Sequence, residues 1–164
     1  MIQYKHIKDP DEIEIATAVG VIRAAFAPIA RRFCLTHENC PGNGAFLTKE
    51  RLKRILARDA RLFALYVGEE ATGFVIAKRK NAEIWYLEKL GVLPEYTRRG
   101  FGSLLMEHAQ AHIRKEGGRR IHIGIIGLHG ELQRWYEKRG FYVTGIKEFS
   151  TLPFPVCYME KCLE

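Results

Sequence analysis

Residues 98–103, Arg-Arg-Gly-Phe-Gly-Ser, combine the features that a phosphate ligand needs. They follow a β-rich run that ends at Leu93 and a turn at Pro94, and they open an amphipathic stretch. Amides at a helix start have no partner within the helix, and the macrodipole adds partial positive charge there. Gly100 and Gly102 clear side chains from the approach, and Arg98 and Arg99 add formal charge. The segment therefore reads as an anion site suited to a diphosphate, with a plain strand–helix turn as the competing reading. It is not a dinucleotide fingerprint, because the third glycine is missing. Nor is it a P-loop, because no Gly-Lys-Ser/Thr follows.

Other constellations are weaker. His108 and His112 share a helical face at i, i+4. Their order is Glu-His-x-x-x-His, no third ligand is evident, and they fall in line with Phe101, Leu104, Leu105 and Ala109. Packing is the better reading, and no metal site is predicted. Cys34, Cys40, Cys157 and Cys162 form no Cys-x-x-Cys and read as free thiols. His37 between Cys34 and Cys40 is too sparse a donor set for zinc.

The elements that must position the turn follow from periodicity. Ile2–Ile7 reads as a first strand. Asp9-Pro10-Asp11 then supplies capping oxygens and a first-turn proline for a helix whose inner face is Ile15, Val19, Ile22, Phe26 and Ile29. Residues 34–47 hold the densest turn chemistry and read as a loop. Thr48 caps a short helix with Leu52, Ile55 and Leu56 inward. Strands are predicted over Arg61–Val67, Thr72–Arg79 and Ile84–Leu93, joined by hairpins. A helix over Gly100–Glu116, a strand over Arg120–Ile126, a helix over Gly130–Arg139 and strands over Phe141–Phe149 and Val156–Lys161 follow. The order β-α-α-β-β-β-α-β-α-β-β predicts an α/β (α+β) domain with a mixed, twisted sheet of about seven strands and four flanking helices.

At 164 residues the chain fits one domain, 1–164, and 47% apolar residues suffice for a core. The charged fraction, 27%, argues against disorder and against a membrane protein. No apolar run approaches the ~20 residues of a spanning helix, and the N-terminus lacks a signal-type apolar region, so a cytoplasmic protein is expected. The formal charge of +7 suits a polyanionic partner: nucleic acid, an anionic membrane or a phosphorylated cofactor. No aromatic-rich RNA-binding signature accompanies the basic residues.

Leu90-Gly91-Val92-Leu93-Pro94-Glu95-Tyr96 followed by Arg98-Arg99-Gly100-Phe101-Gly102 resembles motif A of the GNAT superfamily of N-acetyltransferases. Thr97 departs from the usual Gln or Arg, and Arg98 occupies a place often held by glycine. Downstream, HGELQRWYEKRGF resembles motif B, with Trp135, Tyr136, Lys138, Gly140 and Phe141 in register. His129 stands for the usual Asn and Leu132 for the usual Ala. With the element order, the resemblance covers nearly the whole chain.

The resemblance implies acetyl-CoA as cosubstrate, an amine acceptor, and a splayed parallel strand pair that takes the pantetheine arm. It implies that Arg98, Arg99, Gly100, Phe101, Gly102 and Ser103 hold the diphosphate, with His129 and Trp135 beside the cofactor. An amide in Leu90–Val92 would polarise the acetyl oxygen, Gly91 suits a bulge there, and Tyr136 would protonate the departing thiolate. Glu88 is the candidate base, because strand alternation puts it on the face of Leu90 and Val92; a surface glutamate paired with lysine is its plainer reading. Glu83, Tyr86, Glu38, His37 and bulk water are rivals. The 36–48 loop and the tail after Phe149 would wall the acceptor site. The tail's plainer reading is an edge strand, and the last strand offers a seam for a homodimer. A CoA-binding module without transfer chemistry and a basic nucleic-acid binder are the alternative functions; the resemblance favours neither nucleic acid nor membrane as a partner.

Overall fold

A computed structural model describes residues 1–164. β1 (Ile2–Ile7) leads into α1 (Glu12–Arg32), a short turn of 3-10 helix (Gly44–Phe46) and α2 (Lys49–Leu56). β2 (Ala60–Val67), β3 (Glu70–Arg79) and β4 (Ile84–Val92) form a meander. A second 3-10 turn (Pro94–Tyr96) precedes α3 (Phe101–Lys115), β5 (Arg120–Ile126), α4 (Gly130–Glu137), β6 (Tyr142–Lys147) and β7 (Val156–Cys162). The element order agrees with the sequence reading. Boundaries shift by a few residues, as at α4, which stops at Glu137 because Gly140 turns left-handed at φ 92°.

The seven strands form one sheet in the order β1-β2-β3-β4-β5-β7-β6, with β4 and β5 parallel and every other pair antiparallel. β7 therefore lies inside the sheet. The expectation that the last strand is an edge is corrected: β6 is the edge, because the chain returns from β6 into the gap beside β5.

α1 starts where Asp11 and Glu14 form a reciprocal capping box at 2.8 and 3.0 Å. It runs through Pro28 to Arg32, and it is long and apolar enough by composition to span a bilayer, contrary to the reading of short apolar runs. In this fold its buried stripe, Ile15, Ala18, Val19 and Ile22, packs on Leu62, Ala64, Phe74 and Ile76. The opposite sheet face carries α3 and α4 over Phe63, Val75, Trp85, Leu87, Ile121, Ile123 and Ile125. The sheet thus has an α1 face and an α3 face, and β4 contributes to both.

Two irregularities in β4 shape the middle of the molecule. The parallel pairing with β5 covers Ile84↔Arg120, Trp85↔Ile121 and Tyr86↔His122 and then stops, although each strand continues. From Leu87 to Val92 the β5-side edge of β4 has no strand opposite it. On the other side, the pairing with β3 passes from Ile76↔Glu88 to Phe74↔Gly91, so an extra residue is inserted. The inserted geometry sits at Lys89, which takes φ 56°. Such a bulge bends and twists its strand, which helps β4 diverge from β5.

Two sequence expectations fail here for one reason. Gly91 does not make the bulge. It is glycine because a Cβ there would lie 2.8 Å from the Ala25 Cβ and 3.1 Å from the Phe26 ring, so α1 rests on its backbone. Nor does Glu88 share a face with Leu90 and Val92. Across the bulge the alternation slips: Glu88 stands opposite Ile76 on the α1 face, whereas Leu90 packs into the α3-side core and Val92 reaches toward Leu105's neighbour Gly73.

Candidate active site

The turn before α3 is built from backbone. Tyr96 donates its hydroxyl to Glu70 at 2.6 Å and so ties the turn to the β2–β3 hairpin. The Thr97 hydroxyl donates back to the Pro94 carbonyl at 2.8 Å, which commits its proton within the turn. Arg98 takes φ 63° and Gly100 φ 79°. Arg98 thus adopts the left-handed conformation that a glycine would take more readily. Left-handed residues at alternate positions curl successive amides toward one side, the geometry of an anion-binding nest. The amides of Arg98 to Ser103 donate to no acceptor in the protein, the first intrahelical donor being Leu104 to Gly100 at 3.1 Å.

Side chains brace this nest. Arg139, at the end of α4, donates to Ser103 Oγ at 2.7 Å and to the Trp135 carbonyl at 2.8 Å, and its guanidinium lies 3.8 Å from the Trp135 ring centroid. The Trp135 ring in turn covers Gly102, where a Cβ would sit 3.5 Å from it. Phe101 packs inward, and Arg99 lies over the Tyr96 ring. Arg98, Arg99 and Gly100 are exposed. Arg139 escaped sequence reasoning, although its i, i+4 spacing from Trp135 was a usable signal.

Tyr136 lies between Trp135 and Phe141, edge-on to both at 4.9 and 5.2 Å. It is only 7% exposed and belongs to the α3-side core that also holds Leu87, Ile123 and Ile125. Its hydroxyl makes no hydrogen bond with the protein. Burial raises its pKa well above the ordinary phenol value, with Arg139 opposing weakly, so the phenol keeps its proton at neutral pH. His129 is also buried, and its Nδ1 accepts from the Leu132 amide at 3.0 Å, capping α4. Burial, with Arg32 nearby, lowers its pKa. Only Nε2 is left to meet a ligand.

On the α1 face, the Glu88 carboxylate is half-buried and makes no hydrogen bond or ion pair. Tyr86 shares that face two residues earlier, its ring edge-on to His122 at 5.8 Å. His122 Nε2 bonds Glu160 at 2.6 Å, and Tyr142 donates its hydroxyl to the same carboxylate, with Arg120 at 3.5 Å. These partners, Tyr142 first, hold the Glu160 pKa below the ordinary carboxylate value, and Tyr142 is pushed up to about 12. Nothing in the sequence alone links residues 122, 142 and 160; only the strand order does.

The predicted walls of this side do meet. Cys40 and Leu35 from the loop after α1 cluster with Phe33, Phe46, Leu152, Phe154 and Ile126 at the end of β5. The rival residues Glu38 and His37 are exposed on that loop, and Glu83 lies outside the strand. His108 and His112 are packing residues. His108 stacks on Tyr4 at 4.9 Å, and His112 meets His6 and Phe63 edge-on at 4.7 and 5.0 Å.

Comparison with known proteins agrees with this anatomy. Residues 31–141 match the acetyltransferase (GNAT) family. Mycothiol acetyltransferase of Corynebacterium glutamicum is 29% identical over 86 residues, which are 52% of this chain and 30% of the relative. The chain thus spans about a third of the length of the curated relatives it matches. The fold superimposes on the ribosomal-protein-S18-alanine N-acetyltransferase of Escherichia coli with a TM-score of 0.79 at 15% identity, covering 100% of this chain and 95% of that one. It also superimposes on the PaiA N-acetyltransferase of Thermoplasma acidophilum, solved with coenzyme A, with a TM-score of 0.80 at 19% identity and 99% of each chain. By its motifs, its sheet and its matched residues, this chain belongs to the GNAT family of acetyltransferases.

Proposed function

We propose that the protein is an N-acetyltransferase that moves an acetyl group from acetyl-CoA to a primary amine of a small molecule or peptide, by direct attack with both substrates bound. The observation that carries this reading is the run of unbonded amides from Arg98 to Ser103, together with the unpaired inner edge of β4 from Leu87 to Val92. The first suits a diphosphate and the second an extended amide-bearing arm that hydrogen-bonds like an added strand. Neither has a structural purpose of its own.

Acetyl-CoA would supply an activated acetyl thioester. Arg98 and Arg99 add charge to the amide nest, and Trp135 with Arg139 keeps the nest in shape. An amide in Leu90–Val92 polarises the acetyl oxygen, a contact worth about 3–4 kcal/mol in favourable cases. Glu88, on the opposite sheet face from α3, accepts the proton that the amine must lose. A free amine holds it to a pKa near 10.4. Tyr136, kept protonated by burial, gives its proton to the leaving thiolate. The acceptor then enters from the α1 face and the cofactor from the α3 face, so the two substrates do not compete for space. The cytosol, where acetyl-CoA is made and consumed, is the proposed setting.

Acetyl-CoA at 100 times its Kd should stabilise the fold by about 2.7 kcal/mol. Release of free thiol on adding an amine tests transfer itself. Stabilisation without thiol release from any amine would instead favour a CoA-binding module without transfer chemistry.

A further inference from the structure

His122 stands where β4 and β5 part, because Tyr86↔His122 is the last pair between them. Its neighbours Ile121 and Ile123 point into the α3-side core, so the imidazole lies on the α1 face. Tyr86 and Glu88 alternate onto the same face of β4. With strands about 4.8 Å apart and about 3.3 Å per residue, the Cα atoms of His122 and Glu88 are about 8 Å apart. Two side chains and one water span such a gap.

The imidazole is held in the form of a base. Glu160 lies opposite it on β7, is only 8% exposed, and accepts from His122 Nε2 at 2.6 Å. A carboxylate only accepts, so the proton sits on Nε2 and Nδ1 keeps its lone pair. Nδ1 has no hydrogen-bond partner in the protein, and the side chain is 31% exposed. The titratable and charged groups around it are Tyr86 of β4, with Lys80 5.7 Å from that ring and Lys78 of β3 opposite it, Arg120 of β5, Glu160 and Cys162 of β7, and Tyr142 of β6. Tyr142 and Arg120 complete the shell of Glu160. A buried carboxylate shared by three strands costs more than apolar residues of similar size. The other histidine–glutamate pair, His112 with Glu116, differs: its imidazole is packed edge-on to His6 and Phe63.

Acetyl transfer needs more than one proton acceptor. The amine arrives as an ammonium, with a pKa near 10.4. Its nitrogen sheds two protons while the C–N bond forms and the C–S bond breaks. Tyr136 protonates the sulfur and is reprotonated in turn, so one proton per turnover goes to solvent. Glu88 holds only one proton at a time, and the second needs another acceptor on the same face. Resting on the acetyltransferase reading above, we propose that His122 takes this second proton through one water and passes it to solvent, with Glu160 as its positioning residue.

The test is thiol release by the full chain at saturating acetyl-CoA. Tyramine, spermidine, alanine amide and an alanyl peptide with a free N-terminus are the acceptors, and the fastest is carried through the variants. His122→Gln should lower kcat by about 10²-fold at neutral pH, with Tm and acetyl-CoA Kd close to wild type, and added imidazole should restore about tenfold of the loss. Glu160→Gln should move the acidic limb of kcat to lower pH, because the imidazolium loses its carboxylate partner. His112→Gln, which breaks the packed pair, should leave kcat and that limb in place. A wild-type kcat in His122→Gln, a loss that imidazole does not relieve, or an unmoved limb in Glu160→Gln would each overturn the relay. If the wild type releases no thiol with any of the four amines, the transferase reading falls and the relay with it; wild-type release with an unimpaired His122→Gln strikes the relay alone.

Discussion

On the proposed reading the two sides of the sheet meet their ligands with different chemistry. On the α3 face the binding groups are main-chain amides, shaped by glycine, by a left-handed Arg98 and by the Trp135–Arg139 brace. On the α1 face the proposed group is a side chain, Glu88, set on that face by the register before the bulge. Main-chain geometry tolerates substitution: Thr97 departs from the family pattern, and the left-handed turn through Arg98 and Gly100 still forms. Side-chain recognition does not have that tolerance. On that reading one face keeps the cofactor contacts and the other selects the amine.

The sharpest way to break this division is at the proton donor. Tyr136→Phe keeps the ring that packs on Trp135 and Phe141 but removes the acid. We expect kcat to fall by about 10³-fold with the acetyl-CoA Kd nearly unchanged, measured by thiol release and calorimetry. An unaltered rate would return Tyr136 to the status of a core residue. Glu88→Gln should cost about 10²-fold in kcat/KM at neutral pH and progressively less at high pH, where the amine is already neutral. A loss that does not vary with pH would remove Glu88 as the base and leave water in its place.

Legibility followed the same divide. The nest was readable because glycines, a proline turn and a helix start occupy six adjacent positions, so local rules apply. The element order was readable because each core face keeps its period. What failed was the α1 side. Alternation counted Glu88, Leu90 and Val92 onto one face, and a single inserted residue at Lys89 reversed the count. No sequence signal marked that bulge, since lysine is not a residue one expects at φ 56°. The nearby glycine drew the assignment instead, while its actual constraint comes from Ala25 and Phe26 on another element. Likewise the His122–Glu160–Tyr142 network depends on β7 entering between β5 and β6, a topological fact that no local pattern carries.

That constraint on Gly91 is itself testable. Gly91→Val should destabilise the fold by about 1–3 kcal/mol, seen as a lowered Tm, because α1 would have to move off the sheet. An unchanged Tm would mean that α1 does not rest on β4 as described.

The smallest expected effect concerns pH. Burial is the first cause that lowers the pKa values of His6 and His108, with the His112 charge next, and burial also lowers that of His129. A base whose folded pKa is depressed binds protons better when unfolded. Its contribution is intact above the ordinary value near 6.5 and is lost as pH falls below it. Tm should therefore decline modestly between pH 7.5 and 5.5, and His6→Gln with His108→Gln should flatten that decline. A Tm that rises over the same interval would show that the histidines gain partners when charged.

The claim that main-chain amides hold the cofactor can be read amide by amide. Titrating ¹⁵N-labelled protein with CoA and following its amide spectrum should move the resonances of Arg98–Ser103 and Leu87–Val92 in one saturable process, while those around His6 on β1 stay in place. Saturable CoA binding that left the Arg98–Ser103 amides unshifted would contradict the account.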